Sequence, residues 1–190
     1  MKKPCLSASI GLLLFSFLFS CNPDKSKTSE DLATQITGDS SLNVVYDRAK
    51  KLIATGFNAG TVYQEVWIRD CNTFIEISCD VMPLDVVRDN LTTFFKFQGP
   101  EGDIIDGFVP ANKASVGYKY RYSDLTPEYA GHKNTVETDQ ESSLVQAVWK
   151  YIQETGDKSI LSETIGDKNG MAHLEFAMEY LVNHKMDSDH

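Results

Sequence analysis

The chain has 190 residues and a formal charge of −9. That length suits one domain, and 42% hydrophobic with 11% aromatic residues is enough for a packed core. The acidic balance speaks against nucleic acid as a partner, because nucleic-acid binders present a basic face; it is compatible with a neutral small molecule or a glycan.

Residues 1–20 begin with the cations Lys2 and Lys3 and continue as an apolar run, densest over 10–19. The run is short for a bilayer span and has the flanks of a signal peptide. Its ending, Leu18-Phe19-Ser20-Cys21, resembles a bacterial lipobox, which implies Cys21 as the lipidated first residue of the mature chain. The alternative is an ordinary signal peptide with a cysteine nearby. Acyl chains contribute about 0.8 kcal/mol per buried CH2 to membrane binding, so the expected place is the cell envelope, lipid-anchored to a bacterial membrane. Residues 21–41 are polar and lack helical periodicity, and read as a flexible tether. The globular part is expected over 42–190.

Leu42, Val45, Tyr46, Ala49, Leu52 and Ile53 recur at helical spacing, which predicts an amphipathic helix ended by Gly56. A turn follows at 58–61, and 62–68 reads as short and extended. The next helix is predicted over about 72–80, with Phe74, Ile77 and Val81 on its inner face. Pro83 suits the first turn of another helix, whose stripe is Leu84, Val87, Leu91, Phe94 and Phe95, and Gly99-Pro100 breaks it. The two form a helical hairpin.

Residues 99–136 carry no long helical pattern, and loops of that length inside compact domains are often functional. Tyr118, Tyr120 and Tyr122 alternate with Lys119 and Arg121, which suggests a short strand or hairpin. Thr138-Asp139-Gln140-Glu141 has the form of a capping box, with Glu141 as the cap partner. A helix through Leu144, Val145, Val148, Trp149 and Ile152 ends at Thr155-Gly156-Asp157. A short helix over 160–165 and a last one from Met171 to about His184 complete the pattern. The fold class expected is all-α: paired helices with long loops on one side.

Of the four cysteines, Cys5 lies in the expected signal peptide and Cys21 is the lipidation candidate. Cys71 and Cys79 lie about 12 Å apart along one helix, beyond disulfide reach, and read as small buried side chains. No metal or other cofactor is expected. His132 with Glu137 and Asp139 is the nearest approach to a ligand set, and loop histidines beside carboxylates are usually solvated.

The chemistry concentrates at Trp67-Ile68-Arg69-Asp70. An indole offers an apolar face for a sugar ring, a guanidinium a rigid fork of donors, and a carboxylate two acceptor oxygens. Trp-x-Arg-Asp resembles the motif of the six-hairpin (α/α)6 glycosidases, among them glucoamylase, the debranching enzymes and the trehalase-like enzymes. Asp106-Gly107-x-x-Pro110, the polar helix mouth at Glu137-Thr138-Asp139, and Thr155-Gly156-Asp157 as a hairpin corner follow in the order that resemblance implies. It implies further that Arg69 and Asp70 hold sugar hydroxyls with Trp67 stacking beside them. Asp106, Glu137 and Asp139 would line the same mouth, and Asp70 is the catalytic candidate. Arg69 next to Asp70 suits a binding role better than that of a proton donor. A complete (α/α)6 toroid has twelve helices and five or six are expected here, so the resemblance implies a partial toroid, the N-terminal portion of an inverting glycosidase. The expectation is a glycoside hydrolase-like protein acting on a glycan or oligosaccharide. The alternative is a non-catalytic envelope lipoprotein that binds a glycan or a partner protein.

Overall fold

The structure is a computed structural model described over residues 24–56, 65–114, 119–134 and 136–185. The expected signal peptide 1–20, the lipidation residue Cys21, the turn at 58–61 and Tyr118 lie outside these residues. The chain divides into two units, Met1–Tyr46 and Asp47–His190. Among the described residues no helix is long and apolar enough to cross a membrane.

In the first unit, Asp24–Gly38 forms helix α1. These residues, read from the sequence as a tether without helical periodicity, carry a helix. Leu32 and Ile36 stand four residues apart, a helical repeat hidden by the polar composition, and both are exposed. Thr34 and Thr37 donate their hydroxyls back to the carbonyls of Glu30 and Ala33. The Asp39 carboxylate then accepts from the Ser41 amide at 2.9 Å and its hydroxyl at 2.6 Å, which opens helix α2, Ser40–Ile53, a helix that begins in the first unit and ends in the second. Lys50 and Lys51 lie in the last turn of α2, where cations oppose the helix dipole.

The second unit is not all-α. Its helices are α3 (Ile68–Val81), α4 (Leu84–Lys96), α5 (Gln140–Thr155) and α6 (Gly170–His184). Between α4 and α5 the chain adds strands to the short β1, Val66–Trp67: β2 (Gly107–Pro110), β3 (Tyr120–Arg121) and β4 (Tyr129–His132). They form one antiparallel sheet in the order β1-β2-β4-β3. A second, two-stranded sheet pairs β5 (Thr164–Ile165) with β6 (Lys168–Asn169). These sheets correct both the all-α expectation and the partial toroid. Strands of two to four residues are too short to show a period-two pattern, which is why only the extended reading of 62–68 and the tyrosine alternation around Tyr120 signalled them.

The close approach of β1 and β2 requires Gly107. Trp67 pairs with Gly107 and Val66 with Phe108, and a Cβ on Gly107 would sit 2.8 Å from the Val66 carbonyl oxygen and 3.3 Å from the Trp67 ring. The Ile68 amide, next in the chain, donates to the Asp106 carbonyl at 2.8 Å. Sheet pairing therefore hands the chain straight into α3, four residues earlier than the periodicity predicts. Arg69 and Asp70 fall in its first turn.

The buried stripe of α3 is Ile68, Cys71, Ile75 and Ser78; Phe74, expected inside, is exposed. The main neighbour of α3 is α5, to which Asn72 is tied by its side-chain amide on Gln146 at 3.2 Å and by its carbonyl, which accepts from Lys150 at 2.8 Å. The core is completed by Leu91, Phe94 and Phe95 of α4, Phe108 of β2, and Leu144 and Val148 of α5. Gly156, at φ +72°, closes α5 with its amide on the Ile152 carbonyl, the left-handed position that glycine adopts without strain. The short helix expected over 160–165 is a 3-10 turn at Lys158–Leu161 that leads into β5. Burial pushes the Cys71 thiol up to about 12 and the Cys79 thiol up to about 11, so neither supplies thiolate near neutral pH.

Candidate functional site

Arg69 projects from the first turn of α3, and three carboxylates meet one of its nitrogens. Nη1 donates to Glu137 Oε2 and to Asp139 Oδ1, the latter at 3.2 Å, and stands 3.5 Å from Asp106 Oδ1. Glu137 and Asp139 come from the loop before α5, and Asp106 from the turn into β2. Among the described residues neither Nε nor Nη2 of Arg69 has a hydrogen-bond partner. Burial works against the charge on Arg69, but the hydrogen bond and charge of Glu137, then those of Asp139, outweigh it and hold the guanidinium still more firmly charged.

Asp106 is the fixed member of the cluster, with a side chain of 0% exposure. Its Oδ2 accepts from the Asn134 amide and its Oδ1 from Gln140 Nε2 at 2.6 Å. The Asn134 side chain accepts in turn from the Val136 amide at 2.8 Å, which shapes the loop that carries Glu137. Glu137 and Asp139 are 42% and 53% exposed, so the cluster has a buried floor and an open rim.

The network continues inward. Lys133 Nζ stands 3.4 Å from Gln140 Oε1 and donates to Glu141 Oε1 at 3.0 Å. The same Glu141 oxygen accepts from the Ile104 amide at 2.8 Å. Glu141 is fully buried, and among the described residues its Oε2 has no hydrogen-bond partner. The capping box is thereby corrected. Asp139 is the N-cap of α5 but makes no side-chain cap, because its carboxylate is on Arg69, and Glu141 turns into the core.

Trp67 lies on β1, two residues before Arg69. Its ring meets His132 edge-on at 6.0 Å between centroids, and Tyr120 approaches the same imidazole at 6.3 Å. The register explains this, since Tyr120 and Gly107 both pair with His132, and Trp67 pairs with Gly107. Asp70 is half-buried in the first turn of α3, where a carboxylate is favoured by the helix dipole. It does not join the cluster.

Of the residues singled out from the sequence, Arg69, Asp106, Glu137 and Asp139 are brought together; Trp67 and Asp70 lie two residues before and one residue after Arg69, at the start of α3. Sequence reasoning missed Gln140 and Lys133, and gave Glu141 and His132 other roles. For Gln140 and Glu141 the available signal is the apolar face of α5 itself. Counting back from Leu144 and Val148 by helical steps places both on the inward side. Among the described residues no three His, Cys, Asp or Glu side chains are arranged to hold a metal ion. Chemically, the arrangement offers guanidinium donors, carboxylate acceptors and a nearby indole, the set that hydroxyl-rich ligands engage. No protein-family model, curated protein or solved structure matches the chain.

Proposed function

We propose that this is a glycan-binding, glycoside hydrolase-like protein that holds a sugar ring at the cluster around Arg69. The observation that supports this reading is the convergence of Asp106, Glu137 and Asp139 on one nitrogen of Arg69, across 68 and 70 residues for the last two, with the rest of the fork open. Sugar hydroxyls both donate and accept. They take Nε and Nη2 as donors and the outer oxygens of Glu137 and Asp139 as acceptors, while Trp67 offers an apolar face. Asp70, which has no ion-pair or hydrogen-bond partner among the described residues, is the candidate for a carboxyl close to the glycosidic bond. The resemblance of Trp-x-Arg-Asp to the glycosidase motif supports the same assignment. The lipobox-like Cys21 places the protein at a bacterial envelope in this reading, held to the membrane by its lipid.

A non-catalytic envelope lipoprotein that binds the glycan without cleaving it is the second reading. The closed pairing of three carboxylates on Arg69 favours it, since inverting hydrolysis needs two carboxyl groups about 6.5–9.5 Å apart with room for water between them. The test is a glycan-binding screen of the full chain beside Arg69→Lys and Asp70→Ala. Arg69→Lys keeps the charge that Asp106 needs but loses the fork, and binding weakens about tenfold or more. Release of reducing sugar separates the enzyme from the binder. A folded chain that retains no glycan, or binds one equally well as Arg69→Lys, overturns the site.

A further inference from the structure

The distances around Asp106 Oδ1, on the floor of the Arg69 cluster, are unequal. Gln140 Nε2 donates to it at 2.6 Å, whereas Arg69 Nη1 stands 3.5 Å away. The Asp106 oxygen that faces Arg69 is thus held by Gln140, and Arg69 Nη1 keeps its hydrogen bonds for Glu137 and Asp139 at the rim.

Gln140 can hold that oxygen in one orientation only. The two ends of its side-chain amide are nearly equal in size and opposite in hydrogen-bonding character. Turned about, the amide would set Oε1 against a carboxylate oxygen and Nε2 against an ammonium, and both encounters are repulsive. Lys133 selects the orientation: its Nζ has donors and no acceptor, and it lies 3.4 Å from Gln140 Oε1. Lys133 is itself fixed. Its side chain is 12% exposed, and Nζ donates to Glu141 Oε1 at 3.0 Å and lies 5.7 Å from the centre of the Tyr180 ring. The Ile104 amide pins the same Glu141 oxygen at 2.8 Å. Desolvation takes back most of what a buried ion pair gains. Glu141 Oε2 adds to that cost, because among the described residues it has no hydrogen-bond partner. Direction, rather than stability, is what such a pair supplies.

We infer that Lys133 and Glu141 are positioning residues for the Arg69 cluster, acting through Gln140. They keep the amide on Asp106, and Asp106 so held leaves the guanidinium at the rim. With the amide released, Oδ1 lacks that donor in the interior, where a bare acceptor is costly. Arg69 Nη1 is the cation within reach, and it sinks from the rim, where the side chain is 34% exposed, towards a floor of 0% exposure. The inference deepens the proposed function and rests on it for one consequence, that a sugar meets a raised fork.

Proton NMR of the full chain, with no sugar present, tests it. The Gln140 amide proton on Asp106 resonates downfield and is identified by its loss in Gln140→Met; the Arg69 side-chain protons are identified by their loss in Arg69→Lys. Two variants release Asp106. Lys133→Met with Glu141→Gln removes both buried charges and keeps an acceptor for the Ile104 amide. Gln140→Met removes the amide at similar volume and leaves the buried pair intact. Circular dichroism checks that each is folded. In the double variant the Gln140 proton returns to the ordinary amide range. In both variants the exchange of the Arg69 protons with water slows about tenfold. A double variant that keeps the shifted proton overturns the inference, and so does Gln140→Met with Arg69 exchange at the wild-type rate. Because these signals are read without a ligand, they are separate from the glycan reading, which the binding screen decides.

Discussion

Two arginines organise two polar clusters in the second unit, and they are built in opposite ways. Arg88 spreads its donors, with Nε on Asp157 at 3.3 Å and Nη2 on Glu163 at 2.7 Å and on the Ser159 hydroxyl at 3.1 Å. Its partners fall within seven residues of one another in the corner after α5. Asp157 is further satisfied by the Ser159 amide at 2.9 Å, the Ser159 hydroxyl at 2.5 Å and the Tyr151 hydroxyl at 3.0 Å. Arg69 instead puts three carboxylates on one nitrogen, and Nε and Nη2 have no hydrogen-bond partner among the described residues. A cluster whose carboxylates lie on separate nitrogens and come from one short stretch of chain holds a turn in shape. One that draws an excess of acid from separate loops onto a single nitrogen is suited to receive a ligand.

The largest effect expected from separating them is at Asp106. Asp106→Ala leaves the Asn134 amide and the Gln140 amide group buried without an acceptor. Loss of a buried charged partner is expected to cost about 3 kcal/mol, read as a lower urea midpoint. Gly107→Ala ranks next. The added Cβ meets the Val66 carbonyl, and overpacking of this kind costs roughly 1–3 kcal/mol. It moves β1 and Trp67, so that under the proposed function glycan binding weakens, while the Arg88 corner keeps its hydrogen bonds. A variant with wild-type binding would show that Trp67 does not shape the site.

Asp157→Ala tests the other cluster. It removes the acceptor of the Ser159 amide at the start of a 3-10 turn, and loss of such a cap costs about 1 kcal/mol. The pH dependence marks it. The Ser159 hydroxyl, then the Tyr151 hydroxyl, the Ser159 amide and Arg88, hold the Asp157 carboxyl below its ordinary 3.8 despite some burial. A depressed acid adds stability that is fully present above 3.8 and lost as the pH falls through the lower folded value. Burial, and then Asp157, push the Tyr151 phenol from 10.0 up to about 12. A raised acid adds stability that is complete below 10 and lost as the pH rises toward 12. The corner therefore stabilises the fold across the window between, and Asp157→Asn flattens the acid limb of a stability–pH curve. An unchanged limb would assign it to other carboxylates.

The same contrast explains what the sequence made legible. Thr155-Gly156-Asp157 is a local signal, since a left-handed glycine and an acceptor two residues before Ser159 act within one turn, and the corner was readable from them. The helices α4 and α5 were readable because Leu91, Phe94, Leu144 and Val148 repeat at helical spacing over several turns. Extended chain was legible at Val66–Trp67 and around Tyr120, but their pairing into one sheet with Gly107–Pro110 and Tyr129–His132 was not, because strands of two to four residues are joined by long-range pairing rather than by periodicity. The membership of the Arg69 cluster was visible as residue types, but its shape depends on Gly107 and on the loop held by Asn134, which no local pattern encodes. Glu141 is the clearest case. Its spacing from Thr138 fits a cap, yet the Ile104 amide and Lys133 need an acceptor in the core, and that tertiary demand wins.

The smallest change in stability is expected where the change in function is large. Asp139→Asn removes one of three acids on Arg69 Nη1 at a position more than half exposed, where ion pairs contribute about 0.5 kcal/mol or less. The loss is offset in part because Glu137 takes up the freed donor and the local excess of negative charge falls. A structural cluster would register such a substitution, if at all, only as a small shift of the unfolding midpoint. A binding cluster loses an acceptor for a sugar hydroxyl, and affinity falls by roughly tenfold for one charge-assisted hydrogen bond. Asp139→Asn with an unaltered midpoint and a tenfold weaker glycan complex puts the Arg69 cluster on the functional side of the contrast; equal affinity puts it beside Arg88 as a brace for the α5 mouth.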